Sequence, residues 1–254
     1  MMKIGKYSWG IGDRFTLQAE AQLKAMILAK DAGIEIIPVW NKSNREHTFI
    51  QSEPVSTRDA ADAAVKALGW EGQYFCDADH INMNNVDRFV DACDFFTLDV
   101  ADYIGEETPA EEIEAFINAN KKYIGNLAIP GIAKSFAITE EDVRKIAKKF
   151  LFAVKQAATI YQHLVKVKGE GNFVSEVSMD EVNDAQSPVE MFFILSAIAQ
   201  YKIPAQTIAP KFTGRFNKGV DYVGDLKQFA VEFEEDLLVI DYAIKEFGLP
   251  ENLK

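Results

Sequence analysis

The sequence predicts an α/β fold of the TIM-type (β/α) barrel class, with about six of the eight βα units present in its 254 residues. Three observations predict it. Short β-rich runs alternate six times with longer helical runs, as in βαβ units with right-handed crossovers. Several of the short runs are continuously apolar, which is typical of strands buried on both faces of a parallel sheet. No Gly-x-Gly-x-x-Gly follows any of them, which argues against a dinucleotide-binding sheet.

The strands are predicted from apolar runs rich in β-branched and aromatic residues. Ile-Glu-Ile-Ile-Pro-Val-Trp at 34–40 is a clear example. The six predicted strands are 3–8, 34–40, 73–76, 95–100, 172–177 and 206–211. In a (β/α) barrel, the residues just beyond the strand ends form the active face, so these ends are where a site is expected.

The helices between the strands are predicted from their end signals. The segments 108–111 and 187–190 each place a capping hydroxyl before a proline at the first helical position, with a glutamate at the third. A further helix is expected at about 139–163. The helices at 17–32 and 225–247 are each followed by a glycine, a common signal for a helix end.

The composition narrows the classes of function. The 39 acidic residues outnumber the 27 basic ones, so the formal net charge is -12. Such a surface repels phosphate backbones and anionic lipids, which argues against nucleic acid or a membrane as partner. We expect one domain over 1–254 and a cytoplasmic protein, because the start has no signal-peptide pattern and no stretch approaches the ~20 apolar residues of a bilayer span. Cys76 and Cys93 are predicted to be free buried thiols.

Polar residues follow all six predicted strands, at 10–14, 41–47, 77–80, 99–102, 176–181 and 211–215. One such cluster is ordinary, because strand ends lead into loops. Six at corresponding positions predict one functional face.

Individual residues in these clusters suggest chemistry. Glu176 lies inside an apolar run, where a carboxylate is costly unless it is paired or coordinated. Asp79 beside His80 suits zinc, manganese or nickel, although Asp77 and Asp79 have the simpler interpretation of helix caps. Lys211 can bind an anion or, if desolvated, form a Schiff base.

Arg14 and Arg215 are natural clamps for a carboxylate on an otherwise acidic protein. His47 lies in a polar loop and is interpreted either as a substrate-binding residue or as a hydrogen-bonded structural one. His163 falls inside a predicted helix and is interpreted as structural.

Taken together, four segments resemble the tagaturonate/fructuronate epimerase family, in order and over nearly the whole chain. They are Gly-Ile-Gly-Asp-Arg-Phe at 10–15, Asp-Ala-Asp-His at 77–80, Ser-Glu-Val-Ser-Met-Asp-Glu at 175–181, and the run at 211–222 that begins Lys-Phe-Thr-Gly-Arg-Phe. The resemblance implies a metal-dependent isomerase with a TIM-type barrel. Its substrate would be a small keto-hexuronate from bacterial hexuronate and pectin breakdown.

Carried over residue by residue, the resemblance implies that Asp79 is the proton acceptor, Glu176 the proton donor and His80 a ligand of a divalent metal, zinc or else manganese or nickel. The residues predicted to bind the substrate are Asp13, Arg14, Lys211 and Arg215.

The family pattern continues past residue 254 with a seventh strand that carries another metal-binding histidine. We therefore expect that the chain is C-terminally incomplete and that His80 alone binds metal weakly, because catalytic metal sites use about three protein ligands. We also expect that open sheet edges are covered by self-association, unless the polypeptide is longer.

The reaction poses a chemical problem. The carbon to be inverted lies one position beyond the carbon next to the ketone, so its hydrogen is not acidified directly. Retro-aldol cleavage with re-addition solves this, and so does transient oxidation, and the sequence does not choose between them. Two other functions stay open: a Schiff-base aldolase that uses Lys211, and a barrel that binds sugar acids without turning them over.

Overall fold

The computed structural model describes residues 2–180, 182, 184–217 and 220–254. Glu181, Lys218 and Gly219, which belong to the motifs of the resemblance, lie outside the described residues. Within the described ranges the fold is mixed α/β, as predicted. Its elements are β1 (Ser8–Ile11), α1 (Ala19–Asp31), β2 (Ile37–Ser43), α2 (Asn44–Ile50), α3 (Pro54–Leu68), β3 (Phe75–Ile81), β4 (Phe95–Asp99), α4 (Ala110–Ala119), β5 (Gly125–Leu127), β6 (Phe136–Ile138), α5 (Glu140–Lys168), β7 (Val174–Ser178), α6 (Pro188–Gln200), β8 (Thr207–Ala209) and α7 (Leu226–Phe247).

The described strands form a six-stranded sheet in the order β1-β2-β3-β4-β7-β8 and a separate antiparallel pair, β5-β6. The first four strands pair in parallel. Parallel neighbours need a crossover connection, which α1 supplies between β1 and β2 and which α2 and α3 supply between β2 and β3. The α/β class is thus confirmed, whereas closure into a barrel of eight units stays a prediction.

The chain divides into two compact units, so a single domain over 1–254 also stays a prediction. The first unit comprises Met1–Asp99 and Ile160–Glu176. One face of its strands carries an apolar cluster formed by Ile4, Ile37, Val39, Phe75, Phe95 and Val174. Since side chains alternate between the two faces of a strand, the next residues along, such as Trp40 and Phe96, are buried on the opposite face.

The second unit comprises Val100–Thr159 and Val177–Lys254. Its helix α6 is apolar on nearly all sides, and every residue from Met191 to Ile198 is buried. Phe192 stacks on Tyr242 of α7 with ring centroids 5.6 Å apart. The predicted cap of α6 is confirmed: the Glu190 amide donates to Ser187 Oγ at 3.3 Å, and the Ser187 amide donates to Glu190 Oε2 at 2.9 Å.

Three predicted strands lie several residues too early. The structure places β1 at Ser8–Ile11, β2 at Ile37–Ser43 and β3 at Phe75–Ile81. The apolar runs that predicted them end before the main-chain pairing does. The polar segments 41–43 and 77–79 still pair in register, so the motif at 77–80 lies inside a strand and not beyond one.

The helices α2 and α3 and the β5-β6 pair were not predicted. The prediction that Thr108 caps α4 is wrong: Pro109 takes the N-cap position, and the buried Thr108 hydroxyl has no hydrogen-bond partner among the described residues. Because Pro109 has an extended backbone with ψ 137°, the helix begins one residue later than expected. No helix in the described part of the chain is both long and apolar enough to cross a bilayer.

Candidate active site

The candidate site lies at the carboxyl ends of β3, β4 and β7 in the first unit. Asn41 and Asp77 are register partners on β2 and β3, two residues beyond the apolar pair Val39 and Phe75. Residues two apart on a strand point to the same face. Asn41 and Asp77 therefore lie on the same face of the sheet as the apolar cluster, next to it along the strands. Ligands of parallel sheets bind at this end of the strands.

Thr97 connects two carboxyl groups at the centre of the site. Its Oγ1 lies 3.1 and 3.0 Å from Oδ1 and Oδ2 of Asp77 and 3.3 Å from Oε1 of Glu176. A threonine hydroxyl carries one proton and donates it to one acceptor at a time. Thr97 therefore donates to only one of the two carboxyl groups. The contact with the other is favourable when that carboxyl group is protonated and donates its own proton to Thr97.

Asp77 is the group most suited to keep that proton. It is 6% exposed, and burial raises its pKa well above the ordinary value. The negative charges of Asp79 and Glu176 raise the pKa further, against a smaller opposite effect of the hydrogen bond from Thr97. Since carboxylates that share a buried site do not all ionise together, the raised pKa of Asp77 favours one shared proton in the cluster.

Asp79 and His80 are adjacent in sequence but lie on the same side of the strand. In a regular strand, neighbouring side chains point to opposite faces. Here the register of β3 against β4 shifts between Ala78 and Ile81, and His80 has a left-handed backbone with φ 54°. His80 Nδ1 consequently lies 2.9 Å from Asp79 Oδ1. The two side chains are 26% and 15% exposed, so solvent reaches both.

These residues match a metal site in type but not in number. A metal-binding histidine commonly holds its second ring nitrogen on a carboxylate, as His80 does with Asp79. In the part of the chain that the structure describes, however, no group of three His, Cys, Asp or Glu side chains is placed to hold a metal ion. Metal binding by His80 stays a prediction.

Asp13 and Arg14 lie in the loop between β1 and α1. The Asp13 carboxylate accepts hydrogen bonds from the amides of Phe15, Leu17 and Gln18 at 3.1, 3.1 and 2.9 Å, so it orders this loop. The guanidinium of Arg14 lies over the Phe49 ring, 5.6 Å from its centroid. Arg14 is exposed, as a residue that meets a dissolved substrate must be.

Lys211 and Arg215 belong to the second unit. The main chain of Lys211 is bonded to Gln186, whose Oε1 accepts from the Lys211 amide at 2.6 Å. Arg215 pairs its main chain with Val223 in an antiparallel bridge. Their substrate-binding roles stay predictions.

The structure gives His47 a structural role. His47 is 1% exposed, and its Nδ1 lies 2.8 Å from Ser52 Oγ. Burial, together with the charges of Lys42 and Arg88, lowers its pKa to about 4. Of the two interpretations of this residue, the hydrogen-bonded structural one is favoured. His163, interpreted as structural, lies with Nε2 at 2.5 Å from Asp87 Oδ1.

Neither Thr97 nor the part played by Asp77 was predicted from the sequence. Asp77 follows Phe75 and Cys76 directly, so it had the same signal that singled out Glu176, a carboxylate in an apolar run. Thr97 had no comparable signal, because threonine is common in strands.

Comparison with known proteins places the chain among its relatives. The profile of a family described as tagaturonate epimerase matches residues 1–246. A tagaturonate/fructuronate epimerase of Thermotoga maritima is 27% identical over 239 residues, which cover 89% of this chain and 48% of that protein.

Solved structures show the same fold. The glycerol-bound crystal structure of a fructuronate-tagaturonate epimerase from Cohnella laeviribosi is similar with a TM-score of 0.79 and 21% identity, over 99% of this chain and 52% of that one. The native structure of the same enzyme also has a TM-score of 0.79, at 20% identity. The chain thus spans about half the length of these relatives.

Proposed function

This chain belongs to the tagaturonate epimerase family, and on that basis we propose that it supplies the proton-transfer residues of an enzyme that interconverts D-tagaturonate and D-fructuronate. The observation that carries the proposal is a cluster of three carboxyl groups at the carboxyl ends of neighbouring strands: Asp77 and Glu176 both contact Thr97, and the charge of Asp79 acts on Asp77. Such a cluster offers both a protonated and an ionised carboxyl group at one pH, which a reversible proton transfer requires.

Asp79 is the proposed proton acceptor. It takes the proton of the hydroxyl group on the carbon to be inverted, so that this hydroxyl becomes an aldehyde as the bond to the neighbouring carbon breaks. The electron pair of that bond forms a double bond to the ketone carbon, and the ketone oxygen takes the negative charge, which gives an enediolate. The aldehyde turns its other face and the bond forms again. Glu176 returns a proton to the new alkoxide and draws that proton from Asp77 through the Thr97 hydroxyl.

This route needs no oxidant, which is why we prefer it to transient oxidation. The hydrogen bond between Asp79 and His80 holds the acceptor carboxylate in one orientation. The apolar cluster below Asp77 keeps water from the buried side of the site. Each acid–base group of this kind contributes ~10²–10⁴-fold to a rate.

A divalent metal ion, zinc or else manganese or nickel, is the proposed cofactor, with His80 among its ligands. When bound, such an ion supplies Lewis-acid polarisation of the carbonyl and hydroxyl oxygens. Arg14 is the proposed clamp for the substrate carboxylate, together with Asp13, Lys211 and Arg215 as further substrate-binding residues. We also propose that the sheet is part of a TIM-type barrel.

The test is to incubate the purified chain with D-tagaturonate and, in turn, zinc, manganese or nickel, and to follow D-fructuronate by NMR. Asp79→Asn serves as the matched control, because it keeps the size of the side chain and removes its basicity. Formation of fructuronate by the wild-type chain and not by the variant supports the proposal. A wild-type chain that neither converts nor binds the keto-hexuronate with any of the metals overturns it.

A further inference from the structure

Lys42 is a buried lysine that the proposed mechanism does not use. It lies on β2 and is 2% exposed, although lysine is rarely buried to this degree unless it is paired. Its Nζ donates a hydrogen bond to Thr16 Oγ1 at 2.9 Å. Lys42 is the register partner of Ala78, so its side chain leaves the sheet on the face opposite to Asp77 and Asp79.

The partner of Lys42 belongs to the loop that carries Arg14. Thr16 has a left-handed backbone with φ 60°, which is costly for a β-branched residue and persists only where the surroundings hold it. The Thr16 amide donates to the Asp13 carbonyl at 3.2 Å. The hydrogen bond from Lys42 thus attaches this strained turn to the sheet.

The same loop is fitted closely to the sheet at its other end. A Cβ atom on Gly12 would lie 2.4 Å from the Asn41 carbonyl oxygen, so only glycine allows this approach. Asn41 is the register partner of Asp77. The loop therefore begins directly beside the carboxyl cluster, and Arg14 lies between its two attachments.

Burial lowers the pKa of Lys42, while the charges of Glu46 and Asp13 oppose that effect and favour the ammonium form. Asp13 is in the same loop as Thr16. Charge and hydrogen bonding thus act in the same direction, and both hold the loop against β2.

We propose that Lys42 is a positioning residue that fixes the loop between β1 and α1 through Thr16, so that Arg14 is held where it binds the carboxylate of the keto-hexuronate. This inference rests on the proposed function. Lys42 itself does not meet the substrate, because it is buried on the other face of the sheet. Its loss should therefore raise the KM more than it lowers kcat.

The first experiment measures the loop without using activity. Lys42→Met keeps the length of the side chain and removes its donor. Hydrogen exchange at the amides of Phe15, Leu17 and Gln18, which the Asp13 carboxylate protects, should become about tenfold faster or more, as expected for the loss of a charged hydrogen bond. Lys168→Met is the matched control, since Lys168 also makes one hydrogen bond in this unit, to the Val90 carbonyl.

Thr16 provides a second route to the same test, in case Lys42→Met does not fold. Thr16→Val removes the acceptor and should accelerate exchange in the same amides, whereas Thr16→Ser keeps the hydroxyl and should restore protection. Exchange at wild-type rates in folded Lys42→Met or in Thr16→Val overturns the inference.

The second experiment measures the binding of D-tagaturonate by calorimetry. Lys42→Met should weaken binding about 10- to 100-fold, as expected when the charged hydrogen bond of Arg14 to the substrate carboxylate is lost, and Lys168→Met should leave it unchanged. If hydrogen exchange in the loop becomes faster in Lys42→Met while the affinity for D-tagaturonate stays at the wild-type value, the proposed link to Arg14 is overturned. If the wild-type chain binds no keto-hexuronate, the proposed function fails, and hydrogen exchange still decides whether Lys42 holds the loop.

Discussion

Asp236 on α7 should make the second unit progressively less stable as the pH rises from about 4 to about 7. It is 6% exposed, and burial, followed by the charges of Glu232 and Glu235, raises its pKa to about 7 from an ordinary value of 3.8. When the folded pKa lies above the unfolded one, the stabilising contribution is fully present below pH 3.8 and is lost as the pH rises to about 7. The buried acid is neutral when folded and ionises on unfolding.

The size of the effect follows from the gap between the two pKa values. Each pH unit between them removes about 1.4 kcal/mol, so a rise from pH 5 to pH 8 should cost the wild type on the order of 3 kcal/mol through this one group. Asp236→Asn has a similar shape and no charge, so it escapes this loss. In thermal unfolding, the Tm of Asp236→Asn minus the Tm of the wild type should increase by about 5–10 °C between pH 5 and pH 8, because each kcal/mol shifts Tm by ~2–4 °C in a chain of this size.

Asp241→Asn on the same helix is the control, because Asp241 is 67% exposed and is paired with Lys245. The difference in Tm between Asp241→Asn and the wild type should change little between pH 5 and pH 8. A difference between Asp236→Asn and the wild type that is the same at both pH values would show that Asp236 is ionised in the folded protein and would refute the reasoning.

Three further predictions follow, two for the site and one for the buried His47. In an active preparation, Asp79→Asn and Glu176→Gln should each lower epimerisation by ~10²–10⁴-fold with little effect on folding, and near-normal turnover would contradict the assigned roles. The chain alone should lose added zinc on gel filtration, because catalytic sites use about three protein ligands, and His80→Ala should bind still less; stoichiometric zinc after filtration, by elemental analysis, would show that other ligands exist. His47 should stay neutral from pH 5.5 to 8, so its ring signals in NMR should not titrate.

Much of the fold was predictable because local rules determine it. Alternating apolar strands and helices predicted the α/β class and the approximate position of each strand in the main sheet, and the Ser187 cap followed from spacing alone. The strand ends were not predictable from apolar patterning. The residues Asn41 and Ser43 are held in the sheet by main-chain pairing with Asp77 and Asp79, which side-chain polarity does not reveal.

The site was predictable one residue at a time but not as an arrangement. Glu176 was predicted to be functional because a carboxylate in an apolar run is costly unless it is paired or coordinated. Its link to Asp77 through Thr97 joins three different strands, so the spacing along the chain carries no trace of it. The rise in the pKa of Asp77 likewise depends on burial by elements that are far away in sequence.

The irregularity in β3 puts stability and chemistry in conflict at one residue. His80 adopts a conformation that glycine adopts without strain, and for other residues it costs of order 1–3 kcal/mol. A screen that selects only for thermal stability would therefore be expected to replace His80 with glycine or asparagine and to lose the imidazole. Grafting the Asp-Ala-Asp-His segment into a regular strand of another scaffold would fail in the opposite way: the strain would vanish, and the imidazole would turn to the face away from its carboxylate. Any engineered version of this site has to include the shift in register between Ala78 and Ile81 along with the four side chains.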